Sequence, residues 1–390
     1  MADKTEEKKS KKQSLTDVKA LITKTYGKGS IMQGRSTIVP VEVIPTGNIA
    51  IDSALGCLGI PQGRIIEIYG AESSGKTTTC LHIIKSAQRH YFERKKRNGV
   101  AALIDAEHAY DPSWAEKIGV DTDNMLISQP DSGEEGLEIV KMLAESGAVD
   151  LIVVDSVAAL TPQKVLDGEM DDTTIAALAQ LMSKAMSKLR GVANRTKTTI
   201  IFINQIREKA GMSFGNPEVT PGGRALKFYA SQRLEVRKGS AIKIGEKVVG
   251  FRPTMKVVKN KVAPPFTTAE YDIYTGTAEL PLYGVDDIGP LLDEALAKKI
   301  IAKNGNFYSY NNIILGNGRT TTIKNIAADA DKTGFFKLYE EIKSKVYALY
   351  NDSIPKIEVS DDIDEDVEDL DQPTQTEKSL NERRNQPRPL

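Results

Sequence analysis

"RIIEIYGAESSGKTTTCLHIIKSAQ", Arg64 to Gln88, decides the fold. It opens on a short apolar run rich in isoleucine, the composition of a buried strand. Gly70 to Thr77, "GAESSGKT", then fits G-x-x-x-x-G-K-[ST] in full, and a helical segment follows. Strand, glycine loop and helix in that order are the context that gives this motif its meaning. In such a loop the backbone of Gly70, Ala71, Glu72, Ser73, Ser74 and Gly75 turns its N–H groups toward phosphate oxygens. The N-terminus of the helix adds positive potential. Lys76 is expected to meet the β- and γ-phosphates of ATP, and the Thr77 hydroxyl, with Thr78 beside it, to face Mg²⁺. A chance glycine turn would not need the flanking strand and helix.

Further strands extend the reading on both sides. "GVAALIDA", "VDLIVVDS" and "TTIIFINQ" are short, nearly continuous apolar runs separated by helical segments. That pattern implies an α/β fold with a mostly parallel sheet covered on both faces. "LIVVDS" places Asp155 at a strand end, where a carboxylate can orient a Mg²⁺ shell. "ALIDAEHAYDP" places Glu107 at the end of another, as candidate base for the attacking water. Ligands of open parallel sheets bind beyond the carboxyl ends of the strands, so these motifs point at one crevice. Asp105 or Glu107 capping the next helix is the plainer alternative, and His108 reads as a local hydrogen-bond partner. "SQRLEVRK", "TMKVVKNKV" and "AEYDIYTG" alternate more, and are expected to extend the sheet as antiparallel strands.

Around this ATPase core, expected over residues 39–281, lie an N-terminal arm (1–38), a small α+β domain (282–350) and a tail (351–390). The arm holds Leu15, Val18, Leu21 and Ile22 at helical spacing. The tail carries "EVSDDIDEDVEDLD", Glu358 to Asp371, which has nothing to build a core with and is expected to be disordered. Two cysteines without CxxC spacing exclude a disulfide framework or a cysteine-rich zinc site. No apolar run reaches the roughly 18 residues of a membrane span, and the charged N-terminus lacks a secretory h-region. A cytoplasmic protein without membrane contact is expected.

One long segment resists assignment. "REKAGMSFGNPEVTPGGRALKF", Arg207 to Phe228, follows a strand inside the core but has no period of its own. Such loops are usually binding loops or disordered. Here the ordered motifs "EIYGAESSGKTT", "IDAEHAYDP", "VDLIVVDSVAALTP", "IIFINQIR", "FGNPE", "GGRALKFYAS" and "VVKNKVAPPF" become informative together. They resemble the bacterial RecA recombinase family from about Leu15 to Tyr350, and "YGKGSIM" and "FYSY" resemble it too.

The resemblance implies an ATP-dependent, single-stranded-DNA-dependent recombinase. It forms a helical homo-oligomeric filament on single-stranded DNA and exchanges strands with homologous double-stranded DNA in recombination and repair. A LexA-like repressor whose self-cleavage it promotes in the damage response is a further implied partner. By the same resemblance Glu107 activates water and Gln205 senses the γ-phosphate, passing that state to the loop after it. Lys259 and Lys261 reach a neighbour's γ-phosphate, although alone they read as a solvated strand face. Asp111 and Trp114 meet adenine. The long segment resembles the second DNA-facing loop, with Arg207, Lys209, Gly222, Gly223 and Arg224 at the DNA. The first such loop is "VLDGEMDDTTIA", with Glu169, Met170 and Ile175. Backbone charge neutralisation of this kind gives sequence-independent affinity that falls with salt.

Some positions depart from the family pattern: Ala210 at a wedge position, Gln180 and Ser187 where arginines are common, Pro221, and a basic insertion at Arg89 to Gly99. They bear on DNA contact rather than on ATP chemistry. They leave room for a second reading, a DNA-coating paralogue without strand exchange. A ring helicase would share the nucleotide motifs but not "FGNPE" and "GGRALKF".

Overall fold

The computed structural model describes residues 2–27, 30–31, 41–168, 174–208, 218–277, 280–329 and 334–353. It divides into one unit from Val41 to Ile354 and a second comprising Met1–Pro40 and Pro355–Leu390. In the second unit a helix runs from Ala2 to Tyr26, within the expected arm, and Leu15, Val18 and Leu21 are exposed on it.

The larger unit is organised by an eight-stranded sheet. Its strands in chain order are β1 (Ile65–Gly70), β2 (Ala101–Asp105), β3 (Met125–Ser128), β4 (Leu151–Asp155), β5 (Thr199–Gln205), β6 (Gln232–Arg237), β7 (Thr254–Asn260) and β8 (Thr268–Glu270). Across the sheet the order is β8-β7-β6-β1-β5-β4-β2-β3. β6, β1, β5, β4, β2 and β3 are parallel, and β7 and β8 are antiparallel. β6 therefore corrects one expectation. Its alternation reflects one half-buried face, a property of burial that carries no information about strand direction. "AEYDIYTG" is also divided: Thr268–Glu270 ends the large sheet, and Ile273–Thr275 joins a separate four-stranded antiparallel sheet.

Alternation along each central strand feeds two cores, because successive side chains leave a strand on opposite faces. Leu151 and Val153 join Ile68, Leu81, Ile84 and Ile203 on the face covered by α1 (Lys76–Lys95). Ile152 and Val154 join Phe202, Leu137, Met182 and Met186 on the other. That face is covered by α3 (Gly133–Ser146) and α4 (Thr174–Thr196); between α1 and α3 in the chain lies the short α2 (Pro112–Ile118). Double coverage is why these strands read as unbroken apolar runs.

The C-terminal elements are helices Ile288–Ala297, Arg319–Ala327 and Phe335–Ser353 around a three-stranded sheet. Leu292, Leu315, Ile342 and Val346 centre their core, which also takes in Ile49, Val249 and Tyr274. Polar ties cross the same seam. Tyr347 donates to Asp52 at 2.6 Å, and Arg89 pairs with Glu340 at 2.6 Å.

Candidate nucleotide site

β1 delivers Gly70 to a position where only glycine fits, since a Cβ would lie 2.0 Å from the Val236 carbonyl oxygen. The loop then turns through left-handed backbone at Ser73 (φ 55°) and Gly75 (φ 93°) before α1 begins at Lys76. Gly75 supplies no side-chain cap, so the first N–H groups of α1 remain available to an anion. Lys76 is only 8% exposed and donates to the Ala71 carbonyl at 2.7 Å. Burial pushes its ammonium below the usual range, opposed by Asp155 and Glu107. Such a lysine gains from an anionic partner. Ser74 Oγ is buried without a hydrogen-bond partner, a further donor turned into this loop.

The parallel register brings the other strand ends alongside. Asp105 and Asp155 are directly paired across β2 and β4, and Gly70 pairs with Gln205 across β1 and β5. Thr77 Oγ1 donates to Asp155 Oδ2 at 2.7 Å. Burial pushes Asp155 up to about 6; the Thr77 hydroxyl opposes this, and the carboxylates of Glu107 and Asp105 add to it. Two oxygens beside an uncapped helix terminus fit a Mg²⁺ ion that takes its remaining ligands from phosphate and water.

Glu107 Oε1 accepts from Gln205 Nε2 at 3.0 Å and from the Ser156 hydroxyl. The exposed Glu107 thus joins three strand ends at the mouth of the crevice. Asp105 has another job. It accepts from Ala109 N, Tyr110 N and Gln129 Nε2 at 3.2, 3.0 and 2.9 Å, which fixes the loop that carries Glu107. Ser156 and Asn204 were not singled out in the sequence. Asn204 donates to Glu67 Oε1 and to the Pro221 carbonyl, both at 3.1 Å, linking the end of β5 to the far end of the long segment. Their position immediately after a strand-end aspartate and before a strand-end glutamine is the only sequence signal for either.

The remaining candidates are more dispersed. Asp111 caps α2 by accepting from Trp114 N at 3.2 Å, and Trp114 meets Tyr283 edge-on at 6.2 Å. The long segment is structured at both ends: Arg207–Glu208 pairs with Glu218–Val219, and "ALKFY" forms α5 (Ala225–Tyr229). Gly222 and Gly223 have φ of 85° and 73°, and a Cβ on them would press on Val157 and Ala179 respectively. Internal packing therefore already requires both glycines. Arg207 and Arg224 are exposed, as are Gln180 and Ser187. Glu169, Met170, Lys209 and Ala210 lie outside the described residues, as does the side chain of Ile175.

Lys259 and Lys261 share one side of β7 and its exit. Lys259 Nζ donates to the carbonyls of Lys227 (2.6 Å) and Phe228 (3.0 Å), and Lys261 Nζ to that of Phe228 (3.4 Å). Burial and repulsion from Lys261 lower the Lys259 pKa.

Comparison with known proteins agrees with this architecture. Residues 13–278 match the model of the RecA N-terminal domain, and residues 289–351 that of the RecA C-terminal domain. The chain is 50% identical over 342 residues to Protein RecA of Clostridioides difficile, covering 87% of this chain and 93% of that one. Against Protein RecA of Enterococcus hirae it is 50% identical over 362 residues, 93% and 96% of the two chains. Against that of Lactobacillus johnsonii it is 47% identical over 373 residues, 95% and 98%. Matching both domain models and sharing half its residues with full-length relatives, this chain belongs to the RecA family, the DNA-dependent ATPases of homologous recombination and repair.

Proposed function

We propose that the crevice binds ATP with Mg²⁺, and that Glu107 and Gln205 couple its hydrolysis to the grip on single-stranded DNA. The observation that carries this reading is the Glu107–Gln205 hydrogen bond, because it joins the candidate base to the residue that leads into the long segment. Gly70 to Thr78 hold the phosphates, and Lys76 neutralises them. Thr77 and Asp155 would hold a Mg²⁺, which when bound would neutralise developing charge on the phosphates. Asp111 and Trp114 flank the adenine, the indole offering a flat face. Glu107 takes the proton of the attacking water. Gln205 exchanges its bond to Glu107 for one to the γ-phosphate, and Asn204 transmits the shift to Pro221.

The two lysines belong to a different copy's site. Lys259 is paired with Arg233, which is level with Glu67, three residues before Gly70. At about 3.3 Å per residue, the pair lies roughly 10 Å from its own phosphate loop along the strands. Lysines in that place suit a nucleotide presented by the next subunit of a filament. The exposed Leu15, Val18 and Leu21 suit residues 1–38 to an oligomerisation arm. The core would then span 39–281, the small domain 282–350 and the acidic tail 351–390. Arg207, Lys209, Gly222, Gly223 and Arg224, with Glu169, Met170 and Ile175, are assigned to DNA on family membership. So are double-stranded DNA as second substrate and a LexA-like repressor as partner. Among the described residues no helix is long and apolar enough to cross a membrane; action in the cytoplasm follows from the family reading.

ATP turnover measured with and without single-stranded DNA tests the reading. Turnover is expected to rise with DNA and to vanish in Lys76→Ala. DNA-independent turnover would reject the coupling.

A further inference from the structure

A second cationic recess lies away from the phosphate loop, at the start of β1. It has a volume of about 410 Å³, and Arg64, Arg190 and Lys261 line it together with Asn194 and Ser231. Among the described residues no aspartate or glutamate lines it, and none of the three cations has a carboxylate partner. The neighbouring Arg233, by contrast, is paired with the buried Glu67. Three like charges around one hollow repel each other, and an anion of matching charge relieves that repulsion.

The floor of the recess carries a second signal. Gly191 lies inside α4, where glycine costs helix stability relative to alanine. A Cβ at Gly191 would meet nothing within 4 Å, so packing inside this chain does not demand glycine there. The missing side chain leaves the helix backbone open to something from outside. Guanidinium forks from Arg64 and Arg190 favour phosphoryl oxygens, which they can grip with two parallel bonds. The volume exceeds what one phosphate fills.

We propose that this recess is a polyphosphate site, taking two or more linked phosphoryl groups between Arg64, Arg190 and Lys261 against Gly191. Free polyphosphate and the phosphates of a nucleotide share this chemistry. Titration calorimetry on the full-length Lys76→Ala protein at low salt reads the recess with the phosphate loop disabled, using tripolyphosphate in one arm and ADP in the other. Tripolyphosphate is expected to bind, and adding Arg190→Ala to weaken it about tenfold or more, the loss of one charge-assisted contact. Gly191→Ala is expected to weaken binding while leaving the melting temperature unchanged or higher. ADP binding with the same Arg190 dependence would make nucleotide phosphates a source, and tripolyphosphate binding alone would make it free polyphosphate. Absence of binding in both arms overturns the site. So does equal weakening by Arg94→Ala, an exposed arginine elsewhere, since the effect would then be net charge.

One consequence rests on the trans reading of Lys261 given above. Tripolyphosphate should then raise the protein concentration needed for filament assembly, and should not do so in Arg190→Ala. Arg190-dependent binding without that competition keeps the recess and rejects the trans reading.

Discussion

At the scale of single residues, the account turns on Glu107 and its two donors. Removing the base while keeping the side chain's shape separates binding from chemistry. Glu107→Gln should lower ATP turnover by about two orders of magnitude or more while ATP and DNA binding persist, so ATP-bound filaments should outlast those of the parent protein. Single-turnover hydrolysis beside a filament lifetime assay checks both; wild-type turnover would remove Glu107 from the role of base. That Lys76, Thr77, Asp155 and Glu107 converge on one crevice was legible in the sequence because each is announced by immediate neighbours: a glycine loop, or an apolar strand ending on a carboxylate. Ser156 and Asn204 were not. Each works through a partner distant in sequence: Ser156 through Glu107, 49 residues away and brought close by the parallel register, and Asn204 through Pro221, 17 residues on at the far end of the long segment.

At the scale of elements, the seam between the helix Ile49–Leu55 and the helix Phe335–Ser353 carries a cost that pH should reveal. Asp52 is fully buried, accepts from Thr46 N at 2.8 Å and from Tyr347, and burial raises its pKa from 3.8 to about 6. A carboxyl whose pKa is higher in the folded state favours folding when protonated. Its contribution is lost as pH rises from about 4 through about 6, because the folded state binds more protons in that window. Asp52→Asn, which cannot ionise, should therefore exceed the parent in stability above pH 6 by about 2 to 3 kcal/mol. The two should converge near pH 4. Denaturant melts across that range decide it, and a variant less stable at pH 7 would contradict the sign. None of this was readable beforehand, since the Asp52–Tyr347 contact joins positions 295 residues apart. Strand direction at β6 was hidden for a related reason: alternation reports which face is buried, while direction depends on the neighbouring strand.

At the scale of the whole molecule, if Lys259 and Lys261 serve another copy's site, as proposed, the ATPase can act only when assembled. Lys259→Ala and Lys261→Ala should abolish filament formation and cut DNA-dependent turnover at least about tenfold, while the isolated subunit keeps its fold. Light scattering, turnover and circular dichroism together check this; filaments with normal turnover would return the pair to an ordinary solvated face. Fold class and nucleotide crevice were legible because a parallel sheet writes itself as repeated apolar runs with functional residues at their ends. The trans role proposed for Lys259 and Lys261 came from the family resemblance alone, since two lysines one residue apart on a strand otherwise read as a solvated face.

The central claim is that Gln205 carries the state of the nucleotide to the DNA-binding loops. Its most direct test is the affinity for single-stranded DNA with a non-hydrolysable ATP analogue and with ADP, in the parent protein and in Gln205→Ala. The parent should bind DNA about 5- to 150-fold more tightly with the analogue, the range of ordinary allosteric coupling, and the variant should bind the analogue but lose that ratio. An undiminished ratio in Gln205→Ala would contradict the account.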